Sequence, residues 1–275
     1  MLNTDPQFDQ YFPFVMSKIG KLTEEIDYSQ LTKRAKRLQV ERKYFLQFYP
    51  EITRTIPKWT WLDTQYGGAV CYHILRVLYC TLNDTDFKQL DKEKQNIIKW
   101  TVMLHDIAKR GTPTFFKKQK DLAHPYISAI VALDVFTTLS ELEDILIKEK
   151  IRILKKEIKE SIIYDKPDLS KLRVILDIAK NALSNSYFCF TVFKLIIMHQ
   201  ALPGLKRFKQ PIKLTEEEIK ESCDVEFIRL MEILMINDSI NYHLQDKNYM
   251  KELYDCTKEL CAGHIKLVAT DKHVN

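Results

Sequence analysis

NIIKWTVMLHDIAKRG, running from Asn96 to Gly111, is the stretch on which the reading of the whole chain turns. Ile97, Ile98, Val102, Met103, Leu104 and Ile107 recur at helical spacing and cover a broad face, which predicts a helix over about 91–110 that is buried on most sides. Gly111 and Pro113 supply a stop signal after it. Near the end of this apolar run stand two polar side chains in succession, His105 and Asp106. A buried carboxylate is costly without a partner. A divalent metal ion gives a partner to both groups, because imidazole and carboxylate are good ligands for Zn, Mn, Fe or Co. Adjacent helical side chains diverge by about 100° and so reach one ion from different sides. Lys109 follows four residues after His105 and three after Asp106, on the same side of the helix, where its charge can meet an anion.

Working outward, the pattern stays helical. Val70, Ile74, Val77 and Leu78 mark a helix over about 65–81 that carries His73 and, one turn later, Arg76. Pro125 is best tolerated in a first helical turn, which puts His124 at the start of a helix over about 123–139. Charged helical sequence follows over 140–164 and amphipathic sequence over 168–182. A helix over about 184–201 is stopped by Pro203-Gly204. Thr215 with the glutamates after it reads as a capping box, and helical pattern resumes over 225–246 and 248–262. Upstream, 21–49 reads as helix, and 50–64 as an extended connector because of Pro57 and its β-branched neighbours. The expected architecture is an all-α bundle over 46–265, with a helical extension over 1–45 before it and a tail over 266–275.

Composition removes several function classes. The 275 residues include only six glycines, and no three of these lie close together. A dinucleotide fingerprint or a P-loop therefore cannot be written. Basic side chains number 42 against 37 acidic ones, with the signs interspersed, so there is no strong nucleic-acid signal. The six cysteines form no Cys-x-x-Cys pair. Cys256, Cys261 and His264 fit no structural zinc spacing. No apolar run reaches the roughly 18 residues that span a bilayer, and Phe188 to Met198 is interrupted by Lys194. Asp5 and Asp9 stand where a signal peptide would need an apolar core. A reducing, cytoplasmic setting with no membrane partner is the expectation.

His73, His105-Asp106 and Asp238, in that order, resemble the His…His-Asp…Asp signature of the HD-domain superfamily of metal-dependent phosphohydrolases. Leu104 to Gly111 (LHDIAKRG) is similar to the family's His-Asp-Ile-Gly-Lys segment, with Ala108 where glycine is frequent. His124, in LAHPYISA, resembles the His-Pro-x-x-x-Ala element of two-metal members. His199, in IIMHQALPG, resembles the histidine that closes a helix before a glycine turn in the same subset. The resemblance covers about 65–245.

It implies an HD-domain helical bundle in which His73, His105, Asp106 and Asp238 hold one divalent ion. Asp106 would bridge to a second ion held by His124 and His199, the ions being drawn from Mn, Fe, Co, Ni, Zn or Mg. The implied activity is phosphoric-ester hydrolysis by a metal-activated water, either phosphomonoesterase or phosphodiesterase, on a small phosphorylated substrate such as a nucleotide. Asp106 and Lys109 would be the catalytic positions, and Lys109, Arg76 and Arg110 would contact substrate. Two other functions go with the same residues: an HD-fold di-iron oxygenase with this ligand set, and a non-catalytic HD binding module. His243, His264 and His273 read as surface or packing residues.

Overall fold

The computed structural model describes residues 69–109, 122–139, 145–164, 166–202, 213–241 and 246–270. Among them run ten α-helices, and the fold is all-α. In chain order these are α1 (Ala69–Asn83), α2 (Thr85–Gln89), α3 (Lys92–Leu104), α4 (His124–Leu139) and α5 (Ile145–Glu160). A two-residue antiparallel pair follows, β1 (Ile162–Ile163) with β2 (Lys166–Pro167), in which Ile162 lies opposite Pro167. Then come α6 (Leu172–Ala182), α7 (Tyr187–Met198), α8 (Glu216–Ser222), α9 (Val225–Ile240) and α10 (Lys247–Thr270).

Helix α3 is the hub. Asp91 caps its start, accepting a hydrogen bond from the Lys94 amide at 2.9 Å. From Asn96 to Leu104 every residue is buried, as expected of a helix enclosed on all sides. The enclosure is built by α1, α4, α7 and α9, each of which packs against α3. Helix α7 is nearly as apolar. Phe193, Leu195 and Ile196 are fully buried in the same core as Ile74, Ile97, Phe136 and Met231. Helix starts follow local chemistry. Ser186 caps α7 and Asp224 caps α9, while Thr215 and Glu218 form the expected capping box of α8. Helix α10 lies along α9. Lys258 fastens it there, contacting Glu232 of α9 and Asp86 of α2, and the Tyr254 hydroxyl donates to Asp86 at 3.0 Å.

Three elements depart from the sequence reading. Helix α3 ends at Leu104 rather than near 110, because the chain tightens into i→i+3 bonds from Ile107 to the Leu104 carbonyl and from Lys109 to that of Asp106. The helix predicted over 140–164 stops at Glu160. Tyr164, at φ 50, turns the chain there, and Pro167 favours extended backbone just before it. Helix α10 runs on to Thr270 instead of ending near 262. The segments 1–45 and 50–64, Gly67-Gly68, Gly111 with Pro113, and Pro203-Gly204 lie outside the described residues. No described helix is long and apolar enough to cross a membrane.

Candidate metal centre

Five helices bring six side chains to one point. His73 comes from the first turn and a half of α1, His105 and Asp106 from the end of α3, and His124 opens α4. His199 closes α7, and Asp238 lies in the last turn of α9. All four imidazoles are buried, and Asp106 is 1% exposed.

Asp106 stands at the middle, and its two oxygens face different groups. Oδ2 is 3.1 Å from His73 Nε2 and 3.7 Å from His105 Nε2. Oδ1 is 2.9 Å from His124 Nε2 and 3.5 Å from His199 Nε2. Asp238 adds to the first group, its Oδ1 lying 3.0 Å from His73 Nε2 and 3.8 Å from His105 Nε2. Donor atoms of His73, His105 and Asp106 all fall within 4.8 Å of one another, as do those of Asp106, His124 and His199. The buried His/Asp group can therefore hold metal ions, with Asp106 common to both halves.

The far side of each ring shows which nitrogen is offered. His105 Nδ1 lies 2.8 Å from the Val102 carbonyl, and His199 Nδ1 lies 2.7 Å from that of Ile196. A carbonyl only accepts, so both Nδ1 atoms carry the proton and each neutral ring keeps its lone pair on Nε2. The two histidines share one local device. Each ends a helix and donates back to the carbonyl three residues earlier, which the helix itself leaves unused. His73 Nδ1 is 3.2 Å from Asn241 Oδ1. The Asn241 amide donates through Nδ2 to the Asp238 carbonyl, which turns its oxygen towards His73 and sets the same tautomer there.

The donor chemistry fits a cation. Among the described residues, buried His105 Nε2 has no hydrogen-bond partner, since 3.8 Å to Asp238 is too long for one. A sealed lone pair aimed at two carboxylates is what a metal ligand offers before the ion arrives. Charges agree. Burial alone would raise the Asp106 carboxyl, but Lys109, His105 and His124 hold it well below the usual range. Partial loss of solvent works against ionised Asp238 too, and His105 and His73 hold it low. Burial lowers His199 against the opposing pull of Asp106, with repulsion from His124 and His105 adding to it. His105 is pushed down by burial, yet Asp106 and Asp238 outweigh this and raise it.

Two members of the cluster face outward. The Asp238 side chain is 34% accessible and that of Lys109 is 30% accessible. Lys109 Nζ lies 2.5 Å from Asp106 Oδ2, the oxygen shared with His73 and His105. Arg76 is buried on α1 near Cys80, a thiol that burial pushes up to about 12 with partial relief from the arginine. Arg110 lies outside the described residues, as do His243, His273 and the basic stretch 206–209. His264 is buried on α10.

Three residues escape sequence reasoning. Asn241 orients His73; its one signal is a position three residues after Asp238, on the same helical side. Ser128, one turn beyond His124, accepts the Ala108 amide at 3.1 Å and ties the turn after Asp106 to α4. Gln200, next to His199, places its amide nitrogen 3.2 Å from His124 Nε2. No protein-family model, curated protein or solved structure matches the chain.

Proposed function

We propose that the chain is an HD-type, metal-dependent phosphohydrolase that cleaves a phosphomonoester or phosphodiester of a small molecule such as a nucleotide. One observation carries the reading: a buried carboxylate, Asp106, directs one oxygen to His73 and His105 and the other to His124 and His199. That arrangement matches the ordered His…His-Asp…His…His…Asp set of two-metal HD proteins. The first ion would be held by His73, His105, Asp106 and Asp238, and the second by Asp106, His124 and His199. Divalent ions bound there supply positive charge to phosphate oxygens and lower the pKa of water.

The chain's own residues do the rest. Asp106 fixes the separation of the two halves, because its oxygens are rigidly joined. Lys109 pairs with Asp106 Oδ2 at 2.5 Å. With a cation held by Asp106, the partly exposed Lys109 ammonium would be available to pair with a substrate anion. Its partial exposure, beside that of Asp238, marks the side from which a substrate arrives.

The test is metal analysis of the purified chain, followed by phosphomonoester and phosphodiester panels with Mn, Co, Ni, Mg and Fe(II). Bound divalent ions and metal-dependent ester cleavage support the reading. Absence of metal binding would overturn it. Iron-dependent oxygen consumption without phosphate release would replace the hydrolase with an oxygenase, and metal binding with no turnover would leave a binding module.

A further inference from the structure

The two halves of the cluster are unequal. Around Asp106 Oδ2 stand two imidazoles and a second carboxylate, Asp238. Around Asp106 Oδ1 stand two imidazoles and, among the described residues, no further acid, but here the side chain of Gln200 closes in. Three nitrogens then crowd together. His124 Nε2 is 3.3 Å from His199 Nε2 and 3.2 Å from the Gln200 amide nitrogen. His199 Nε2 carries a lone pair, because its Nδ1 proton is committed to the Ile196 carbonyl. His124 Nε2 has at most one proton, and Asp106 Oδ1 also lies 2.9 Å from it. Asp106 Oδ1, buried in the middle of them, has no hydrogen-bond partner among the described residues.

We propose that Gln200 is the fourth protein ligand of the second half-site. Its carboxamide oxygen joins Asp106 Oδ1, His124 Nε2 and His199 Nε2 around one divalent cation. The proposal rests on the metal reading above and adds a ligand to it. A half-turn of the amide exchanges nitrogen for oxygen without moving any other group, and Gln carbonyl oxygens are established ligands of hard divalent ions. The spacing agrees. Donors each about 2.1 Å from one ion stand roughly 3 to 3.5 Å apart. The measured separations are 2.9 Å, 3.3 Å and 3.5 Å among Asp106, His124 and His199, and 3.2 Å from His124 to the Gln200 amide.

The inequality has a consequence for loading. The first half-site draws on two carboxylates, whereas the second shares one of them and adds only a neutral oxygen. Ions therefore fill the pair in order, first at His73, His105, Asp106 and Asp238 and then at Asp106, His124, His199 and Gln200. A carboxylate at position 200 narrows the gap, and removing the amide widens it.

Titration of the full-length, metal-free chain with Mn2+ alone tests this, by calorimetry and by Mn2+ electron paramagnetic resonance. The unmodified chain should show a tight and a weaker site. Gln200→Ala should leave the tight site unchanged and weaken the second by about tenfold or more, while Gln200→Glu should tighten the second by a similar factor. At full loading the signal of a coupled Mn pair should appear in the unmodified chain and in Gln200→Glu. At equal Mn2+ it should be reduced in Gln200→Ala. Unchanged second-site binding in both variants overturns the role of Gln200 and leaves the metal reading standing. An unmodified chain that binds no Mn2+ overturns the metal reading itself, before any variant is made.

Discussion

Replacing Asn241 by leucine removes a residue that touches no proposed cation and yet should weaken the first half-site. Asn241 is fully buried. It accepts from His73 Nδ1 at 3.2 Å, and its Nδ2 donates to the Asp238 carbonyl. One amide therefore sets the ring orientation of one ligand and the backbone of another. Loss of such an orienting partner typically costs 10- to 100-fold in metal affinity, or about 1.4 to 2.7 kcal/mol. The metal-free fold should lose about 1–3 kcal/mol as well, since leucine leaves a buried N–H and a carbonyl without partners. Asn241→Asp separates the two functions. It keeps an acceptor for His73 but surrenders the donor to Asp238, so it should retain more of the affinity than leucine does. Mn2+ calorimetry reads the binding term, and urea unfolding of the metal-free protein reads the stability term. Suppose Asn241→Leu binds Mn2+ as tightly as the unmodified chain while its unfolding midpoint falls. Asn241 would then be a packing residue, and the tautomer argument for His73 would fail.

Other expectations follow from the same geometry. Asp106→Ala should abolish both sites together; metal analysis that finds full stoichiometry would disprove a shared carboxylate. Affinity for Mn2+ should fall as pH drops from about 8 to 5, because the histidines bind metal only without a proton. His105, raised by Asp106 and Asp238 against its burial, releases its proton at higher pH than an ordinary histidine, so the decline should start early; titrations across that range check it. Lys109→Met should lower turnover on anionic esters far more than it lowers metal binding, and steady-state kinetics beside calorimetry separate the two. Lys258→Met should cost about 1 kcal/mol of stability, discounted because the lysine is a third exposed. Lys258 depresses the Asp86 carboxyl, so this contribution is present above the unfolded value of about 3.9 and is lost as pH falls through the lower folded one. Urea unfolding at several pH values should show the difference between the two proteins shrinking in acid.

Much of the cluster is legible in the sequence because its histidines and Asp106 break a strong background. His105 and Asp106 interrupt an apolar helix, and His124 is fixed by the proline after it. His199 ends a helix that is apolar almost throughout. Polar residues in amphipathic segments give no such contrast. Asn241 meets His73 across 168 residues, and Gln200 meets His124 across 76, so neither contact has a local pattern to betray it. Ser128 looks like any small residue on a helix until Ala108 turns towards it. The early end of α3 is hidden for a related reason. Glycine and proline beyond it are visible in the sequence, whereas the turn of the His105 imidazole back to the Val102 carbonyl is a side-chain choice that no residue pattern records. At the other end of the charged helix, the turn at Tyr164 needs a positive φ that no glycine or asparagine advertises.

The helix-closing bonds of His105 and His199 span three residues each, whereas the bond that orients His73 spans 168. Contacts this local form with the helices themselves, while a long-range one waits until the ends of the chain have met. Two imidazoles are thus aimed early in folding, and the third is aimed only when α9 has docked on α1. A cation that needs His73 cannot be held tightly by a half-assembled chain. A divalent ion bound there would stabilise the finished topology selectively, in proportion to its affinity, as a latch that closes last.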